Sequence, residues 1–348
     1  MQRFVVIGPG LMGQKHIELI DQNPRCTLVG IVCPEQDQHH LTDERHKALA
    51  FTDLETCLAN TRPSGVIISS PNIFHYEQAQ RCILADIPVL IEKPITTDVS
   101  EAQKLVELIA ARRAKALVGH HRAHSPLLQT ARKVIQEGVL GKLIGLQGSA
   151  VFYKPSDYFA AGPWRTVMGG GPILINLIHE IGIMRTLCGE ISGVHALSSR
   201  HTRKFEVEDT VGINIAFESG ALGNFLLSDV AASARSWEQT SRENPIYPTY
   251  ADEDCYHLAG TRGSLAIPTM RLKRVPEGQE PSWTRPLIEE TLAVQRTDPL
   301  TAQLDNFLDV IEGTADPVVS AFDGLQNLRV IEAIQQSAKS QTMVWLND

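Results

Sequence analysis

Three glycines spaced as Gly8-x-Gly10-x-x-Gly13 follow an apolar run and open a helical pattern. In that setting the first glycine permits a tight turn and the second lets the backbone approach a pyrophosphate. The third lets the helix pack closely on the strand, while the helix N-terminus offers N–H donors to the anion. The pattern points to a bound dinucleotide, with Gly8, Gly10, Leu11, Met12 and Gly13 around its phosphates. A carboxylate about twenty residues further on ordinarily holds the ribose hydroxyls. Cys33 stands there, followed by Pro34 and by no Lys or Arg that would receive a 2′-phosphate. NAD and NADP therefore both stay open as the cofactor.

Other residues carry chemistry more weakly. Lys93 follows the apolar run Val89–Ile91, at the strand end where doubly wound sheets gather their ligands. Asn176 and His179 lie three apart on a helix starting near Pro172, opposite an apolar arc of Leu174, Leu177, Ile178, Ile181 and Met184. Taken alone, these polar residues also suit a solvated surface. His120, His121 and His124 cluster without a neighbouring cysteine or carboxylate, so no metal site is expected. Tyr153, Lys154, Trp164, Arg165, Trp237 and Glu238 are of types that recognise a polyhydroxylated ligand, and equally of types that pack.

The elements that must position these groups change character along the chain. Residues 1–122 alternate short apolar runs (2–7, 27–32, 65–69, 89–91, 116–118) with helical patterns such as 11–22. One helix is expected to start at Ser100, with Gln103 completing a capping box. Unalternating strands separated by helices mean a parallel sheet covered on both faces, hence a doubly wound α/β domain that binds a dinucleotide. From 123 to 348 a helix over 126–137 precedes strands with one buried face, clearest in Val211, Ile213, Ile215 and Phe217 and the hairpin turn Ser219-Gly220. Further strands are expected over 143–152, 194–199 and 264–267, and a long loop over 237–254. Helices from Asp298-Pro299 and over 323–339 close an α+β domain built on a mostly antiparallel open sheet, for substrate binding and oligomerisation.

Composition excludes several classes. With a net charge of −8 and no Lys/Arg run longer than two, the chain lacks the basic face of a nucleic-acid binder. No apolar run approaches a membrane span, and the one at the N-terminus stops at Gly8, unlike a signal peptide. Six scattered cysteines read as reduced thiols of a cytoplasmic protein.

Beyond the glycine loop the chain carries Pro71-Asn72-Ile73-Phe74-His75, Glu92-Lys93-Pro94, and Val118-Gly119 with Arg122 and Pro126. It also carries Gly169-Gly170-Gly171-Pro172 with His179, Glu208-Asp209-Thr210 and Gly260-Thr261-Arg262-Gly263. Over almost its whole length it resembles the Gfo/Idh/MocA family of NAD(P)-dependent oxidoreductases. The resemblance implies that Lys93 bridges cofactor and substrate, aimed by a turn that Glu92 and Pro94 shape. It also implies that Pro71, Asn72 and His75 line the nicotinamide half of the cofactor site, with Arg122 and Cys33 among the cofactor contacts. His179 would be the general acid/base, and Asn176 stands where the family's usual acidic partner is expected.

Such a site suits alcohol oxidation, which removes a hydride and a proton from adjacent atoms. Histidine titrates near working pH, and a lysine steadies the oxygen on which charge develops. The substrate implied is a sugar, cyclitol or sugar acid, with Tyr153, Trp164 and Arg165 as candidate contacts, in a homodimer or homotetramer. Non-net-redox sugar chemistry and a ligand-sensing regulator are the alternatives on the same fold.

Overall fold

The computed structural model describes residues 1–346; the final two residues of the expected second domain lie outside the described residues. The chain forms two compact units, one from Met1–His121 with Leu300–Leu328, the other from Arg122–Pro299 with the chain from Arg329 on.

The first unit alternates strands and helices in the order β1 (Gln2–Ile7), α1 (Leu11–Gln22), β2 (Cys26–Val32), α2 (Glu44–Lys47), β3 (Ala50–Phe51) and α3 (Leu54–Thr61). It continues with β4 (Gly65–Ile68), α4 (His75–Leu84), β5 (Val89–Glu92), α5 (Val99–Arg112) and β6 (Ala116–Gly119). The strands form one parallel sheet in the order β3-β2-β1-β4-β5-β6. Phe4 to Ile7, Val66 to Ile68 and Val89 to Ile91 are all buried, which is why these strands read as continuous apolar runs. The order reverses between β1 and β4, and the carboxyl ends of strands at such a switch point are where this architecture binds ligands.

Two expectations are corrected here. Helix α5 is capped by Asp98, whose carboxylate accepts from the Glu101 N–H at 2.9 Å, so Ser100 lies inside the first turn and caps nothing. The units also do not follow a single cut near residue 122. The helix Pro299–Glu312 belongs to the first unit because Leu304, Phe307 and Leu308 join Phe4, Ile67, Leu90 and Leu117 in one apolar cluster. The Phe307 ring lies 5.5 Å from that of Phe4, beneath Gly65, where a Cβ would come within 2.7 Å of the Phe4 ring.

The rest of the chain runs α6 (Pro126–Gln136), β7 (Leu143–Val151), α7 (Ser156–Ala160), α8 (Ile178–Cys188), β8 (Ile191–Ser199), β9 (Thr210–Phe217) and β10 (Leu222–Ser228). It then forms α9 (Trp237–Thr240), β11 (Tyr256–Gly260), β12 (Gly263–Ile267), β13 (Arg271–Arg274) and β14 (Ile288–Thr291). Helices α10 (Pro299–Glu312) and α11 (Ala321–Ser340) and strand β15 (Val344–Trp345) follow. In the second unit nine strands form a sheet ordered β14-β13-β12-β11-β7-β10-β9-β8-β15, antiparallel throughout except for the β7–β10 pair. One face of this sheet packs under α6, α8 and Val330, Ile331 and Ile334 of α11. Sequence reading missed β13 and β14 because their register is fixed by charge, with Lys273 opposite Glu289 and Arg274 beside Glu290. All six cysteines are buried and free. No helix among the described residues is long and apolar enough to cross a membrane.

Replacing Phe307 by Ala should leave a cavity under β1 and lower stability by about 3–5 kcal/mol, read from urea unfolding. A loss under about 1 kcal/mol would mean that α10 is not part of this core.

Candidate active site

The glycine loop is built by contact. Gly8 has φ +85°, and a Cβ there would lie 2.6 Å from Ser70 Cα; one on Gly13 would lie 2.0 Å from the Gly8 carbonyl oxygen. These two glycines press the loop against the β4 end and the α1 helix against the loop. Gly10 is different. It is the residue that starts α1, and a Cβ there would meet nothing within 4 Å. The first N–H groups of a helix have no intrahelical partner, so the open space in front of Gly10, beside exposed Leu11 and half-buried Met12, fits a pyrophosphate.

Cys33 closes β2 with its N–H on the Phe51 carbonyl at 2.9 Å, and its side chain joins the apolar core. Burial, helped by Asp37, pushes the thiol up, so this position presents a neutral core side chain where a ribose-binding carboxylate was sought.

Pro71 and Asn72 are exposed in the turn after β4. His75 is not: it is buried, with Nδ1 2.8 Å from the Pro94 carbonyl and Nε2 2.9 Å from that of Ser70. Burial pulls its pKa down despite both contacts. His75 therefore packs between the β4 loop and the turn after β5, its single neutral-ring N–H donating to one of the two carbonyls.

That second turn carries Lys93. Glu92 ends β5 in the interior, with Oε1 2.9 Å from Nε2 of buried His16 on α1. Burial pushes the Glu92 carboxyl up, but the His16 hydrogen bond and the charges of His16, His121 and Lys93 outweigh it and hold it below its usual value. The Lys93 N–H donates to Glu92 Oε2 at 3.2 Å, and the Lys93–Pro94 bond is cis. Gly119 makes room, since a Cβ there would lie 2.9 Å from Glu92 Cδ. Sequence reading missed His16, although its place one turn after Gly13 put it on the glycine-loop helix.

In the second unit Arg122 is buried and donates to Glu180 and Glu238, while the Tyr256 hydroxyl donates to Glu180. Burial opposes the Arg122 charge, but Glu238 and Glu180 hold it above its usual value. Expected among the cofactor contacts, Arg122 instead fixes the segment that bears His179. Trp237 is buried with Nε1 on Glu243 at 2.9 Å, a packing role rather than an exposed ligand contact.

His179 lies on α8, one residue before Glu180. The alternative of a solvated face does not apply to His179, which is buried together with Glu180 and Arg185. A π-helical turn, Ile173–Leu177, precedes α8, and Glu208 accepts the Ile173 N–H at 2.9 Å. Asn176 sits in that turn, and its Oδ1 accepts from Lys154 Nζ at 2.6 Å. Lys154 is buried 3.7 Å from Asp229 Oδ2, and burial lowers its pKa to about 8. Arg165 stacks 4.0 Å over the Tyr158 ring, beside exposed Trp164, and Tyr153 is exposed.

His120 Nε2 meets Asn327 Nδ2 at 3.2 Å in the first unit, and His124 is buried in the second, its pKa lowered by burial to about 4.

Comparison with known proteins decides the family. The model described as "Oxidoreductase family, NAD-binding Rossmann fold" matches residues 2–120, and "Oxidoreductase family, C-terminal alpha/beta domain" matches residues 132–346. The chain belongs to the Gfo/Idh/MocA oxidoreductase family. Its relatives include an inositol 2-dehydrogenase of Rhizobium meliloti (strain 1021), 22% identical over 98% of both chains. A 1,5-anhydro-D-fructose reductase of Ensifer adhaerens is 26% identical over 83% of this chain and 81% of its own. Among solved structures, the WlbA dehydrogenase of Bordetella pertussis in complex with NADH and UDP-GlcNAcA has a TM-score of 0.78 at 21% identity, covering 99% of this chain and 98% of that one. The first unit of this family member is thus an NAD-binding Rossmann domain.

The glycine geometry separates two variants. Gly10→Val should stay folded and lose dinucleotide binding, measured by calorimetry, because its side chain enters only the space in front of α1. Gly8→Val should fail to reach the native fold, because backbone stands in its way. Unchanged cofactor affinity in folded Gly10→Val would refute the phosphate assignment.

Proposed function

We propose that this family member transfers a hydride between a nicotinamide and a secondary alcohol or ketone of a sugar, cyclitol or sugar acid. The observation that carries the reading is Lys93, presented at the carboxyl end of β5 by the buried Glu92–His16 pair. The names of the relatives, an inositol dehydrogenase and an anhydrofructose reductase, agree with this class. When bound, a nicotinamide accepts or supplies the hydride. Lys93 donates to the substrate oxygen as negative charge grows there, and His179 takes up the proton in the oxidative direction. Asn176 orients its neighbours through its amide and, unlike an aspartate, lends no charge to protonated His179.

Cofactor choice follows from Cys33. With a buried thiol in place of carboxylate or guanidinium, NAD and NADP are discriminated by about a hundredfold or less. Copies of the chain assemble through the second sheet, where exposed Leu197 and Leu226 flank Gly212 in register across β8, β9 and β10.

The reading is tested with polyols and aldonates assayed against both cofactors, following net formation of reduced nicotinamide. Net accumulation separates a dehydrogenase from an enzyme that oxidises only transiently and from a regulator that does not turn over. Lys93→Met should lower kcat by about 100-fold or more while NAD affinity changes little; near-normal turnover would return Lys93 to a surface role.

A further inference from the structure

Lys154 and Asn176 form a contact that the reading above leaves unused. An ammonium has three donors and no acceptor, so the Asn176 atom 2.6 Å from Lys154 Nζ is the amide oxygen. The orientation of the amide is thereby fixed. Its Nδ2, with two N–H donors, is left for other acceptors, and the hydrogen bond of Asn176 among the described residues runs through Oδ1. An aspartate in the same place would offer an acceptor oxygen to a ligand hydroxyl; Asn176 offers donors only.

The local charge agrees. The charged groups facing Lys154 are Asp229, Arg165 and Arg203, with Glu238 acting more weakly. Asp229 is shared, since Arg203 Nε also binds it at 2.9 Å, and Glu238 is engaged by Arg122. Arg165 has no carboxylate within ion-pair distance among the described residues, and its buried Nε has no hydrogen-bond partner. Aromatic rings hold these cations in place, with Lys154 Nζ 4.8 Å and Arg165 4.0 Å from the Tyr158 ring centre. Cations outnumber the carboxylates free to meet them, and burying a cation without a counter-charge is costly.

We infer that Lys154, Asn176 and Arg165 form a carboxylate-recognition site, so that of the three substrate classes the enzyme takes the sugar acid. The inference rests on the dehydrogenase reading for calling the ligand a substrate. A carboxylate accepts hydrogen bonds from the two Asn176 donors and is drawn by the Lys154 and Arg165 charges, as a neutral hydroxyl is not.

The test is calorimetry on the NADH-saturated enzyme with two matched pairs, gluconate against glucitol and glucuronate against glucose. The wild type should bind each acid about tenfold or more tightly than its neutral partner. Lys154→Met should abolish that preference, Lys154→Arg should retain it, and Asn176→Asp should reverse it. Because Lys154 loses its proton near pH 8, the affinity for acids should fall as pH rises through that value, and the affinity for neutral ligands should not. Equal affinities in the wild type, or no binding of either acid, would overturn the inference, as would a folded Lys154→Met that keeps the preference. Turnover separates the two readings. Neutral polyols that reduce NAD without any preference for acids leave a dehydrogenase and remove the carboxylate site. Acid-selective binding without cofactor reduction on any compound leaves the site and removes the dehydrogenase.

Discussion

A carboxylate inside an apolar sheet keeps its charge only if a partner and hydrogen bonds replace the water it has lost. Glu92 meets that condition through His16, and much of the NAD-binding unit is arranged around their contact. His16 projects from the helix that the glycine loop opens, and Glu92 ends the strand that leads into Lys93. One buried pair therefore ties the anion-binding loop to the turn bearing the lysine. Removing either partner would leave an uncompensated polar group in the core, a loss far larger than that of an exposed ion pair. Gly119 and His75 serve the same joint: one leaves space for the Glu92 side chain, the other packs between the Ser70 and Pro94 carbonyls.

The second unit solves a related problem with more charges. Arg122 alone faces Glu180 and Glu238, and Tyr256 supplies a further donor to Glu180. Burial nonetheless pushes the Glu180 carboxyl up, against the pull of Arg122. The network fixes the segment that bears His179 from one side. On the other, Glu208 caps the π-helical turn that holds Asn176. Such turns interrupt a regular helix at some cost and often mark functional positions. Asn176 and His179 thus owe their placement to buried ionic contacts, because α8 has no polar face of its own.

These arrangements explain what was legible in the sequence. Apolar periodicity is a property of neighbouring residues, so the strands 2–7, 65–68 and 89–92, helix α1 and the hairpin at Ser219-Gly220 could all be read directly. The glycine loop was legible because each glycine answers a local steric demand. What could not be read depends on partners distant in the chain. Arg122 looks like a cofactor contact until Glu180 and Glu238 are seen beside it. Trp237 and Glu238 look like ligand contacts until their hydrogen bonds are traced. The return of α10 to the first unit was invisible for the same reason, since an apolar helical stripe does not say which sheet it covers.

The substitution of an amide for an acid at Asn176 shows how far such distant partners alter chemistry. An aspartate one turn before the histidine would stabilise the imidazolium and so raise its affinity for a proton. Asn176 removes that charge, and Lys154 adds a positive one at 2.6 Å from the amide oxygen. The neutral imidazole is the form able to accept a proton from an alcohol, so the charge around Asn176 bears on the step proposed for His179. The same positive charge favours an anion bound nearby, and a bound anion would restore part of the negative potential that the missing aspartate supplied. Substrate and site would then share the electrostatic task that an acidic residue performs alone.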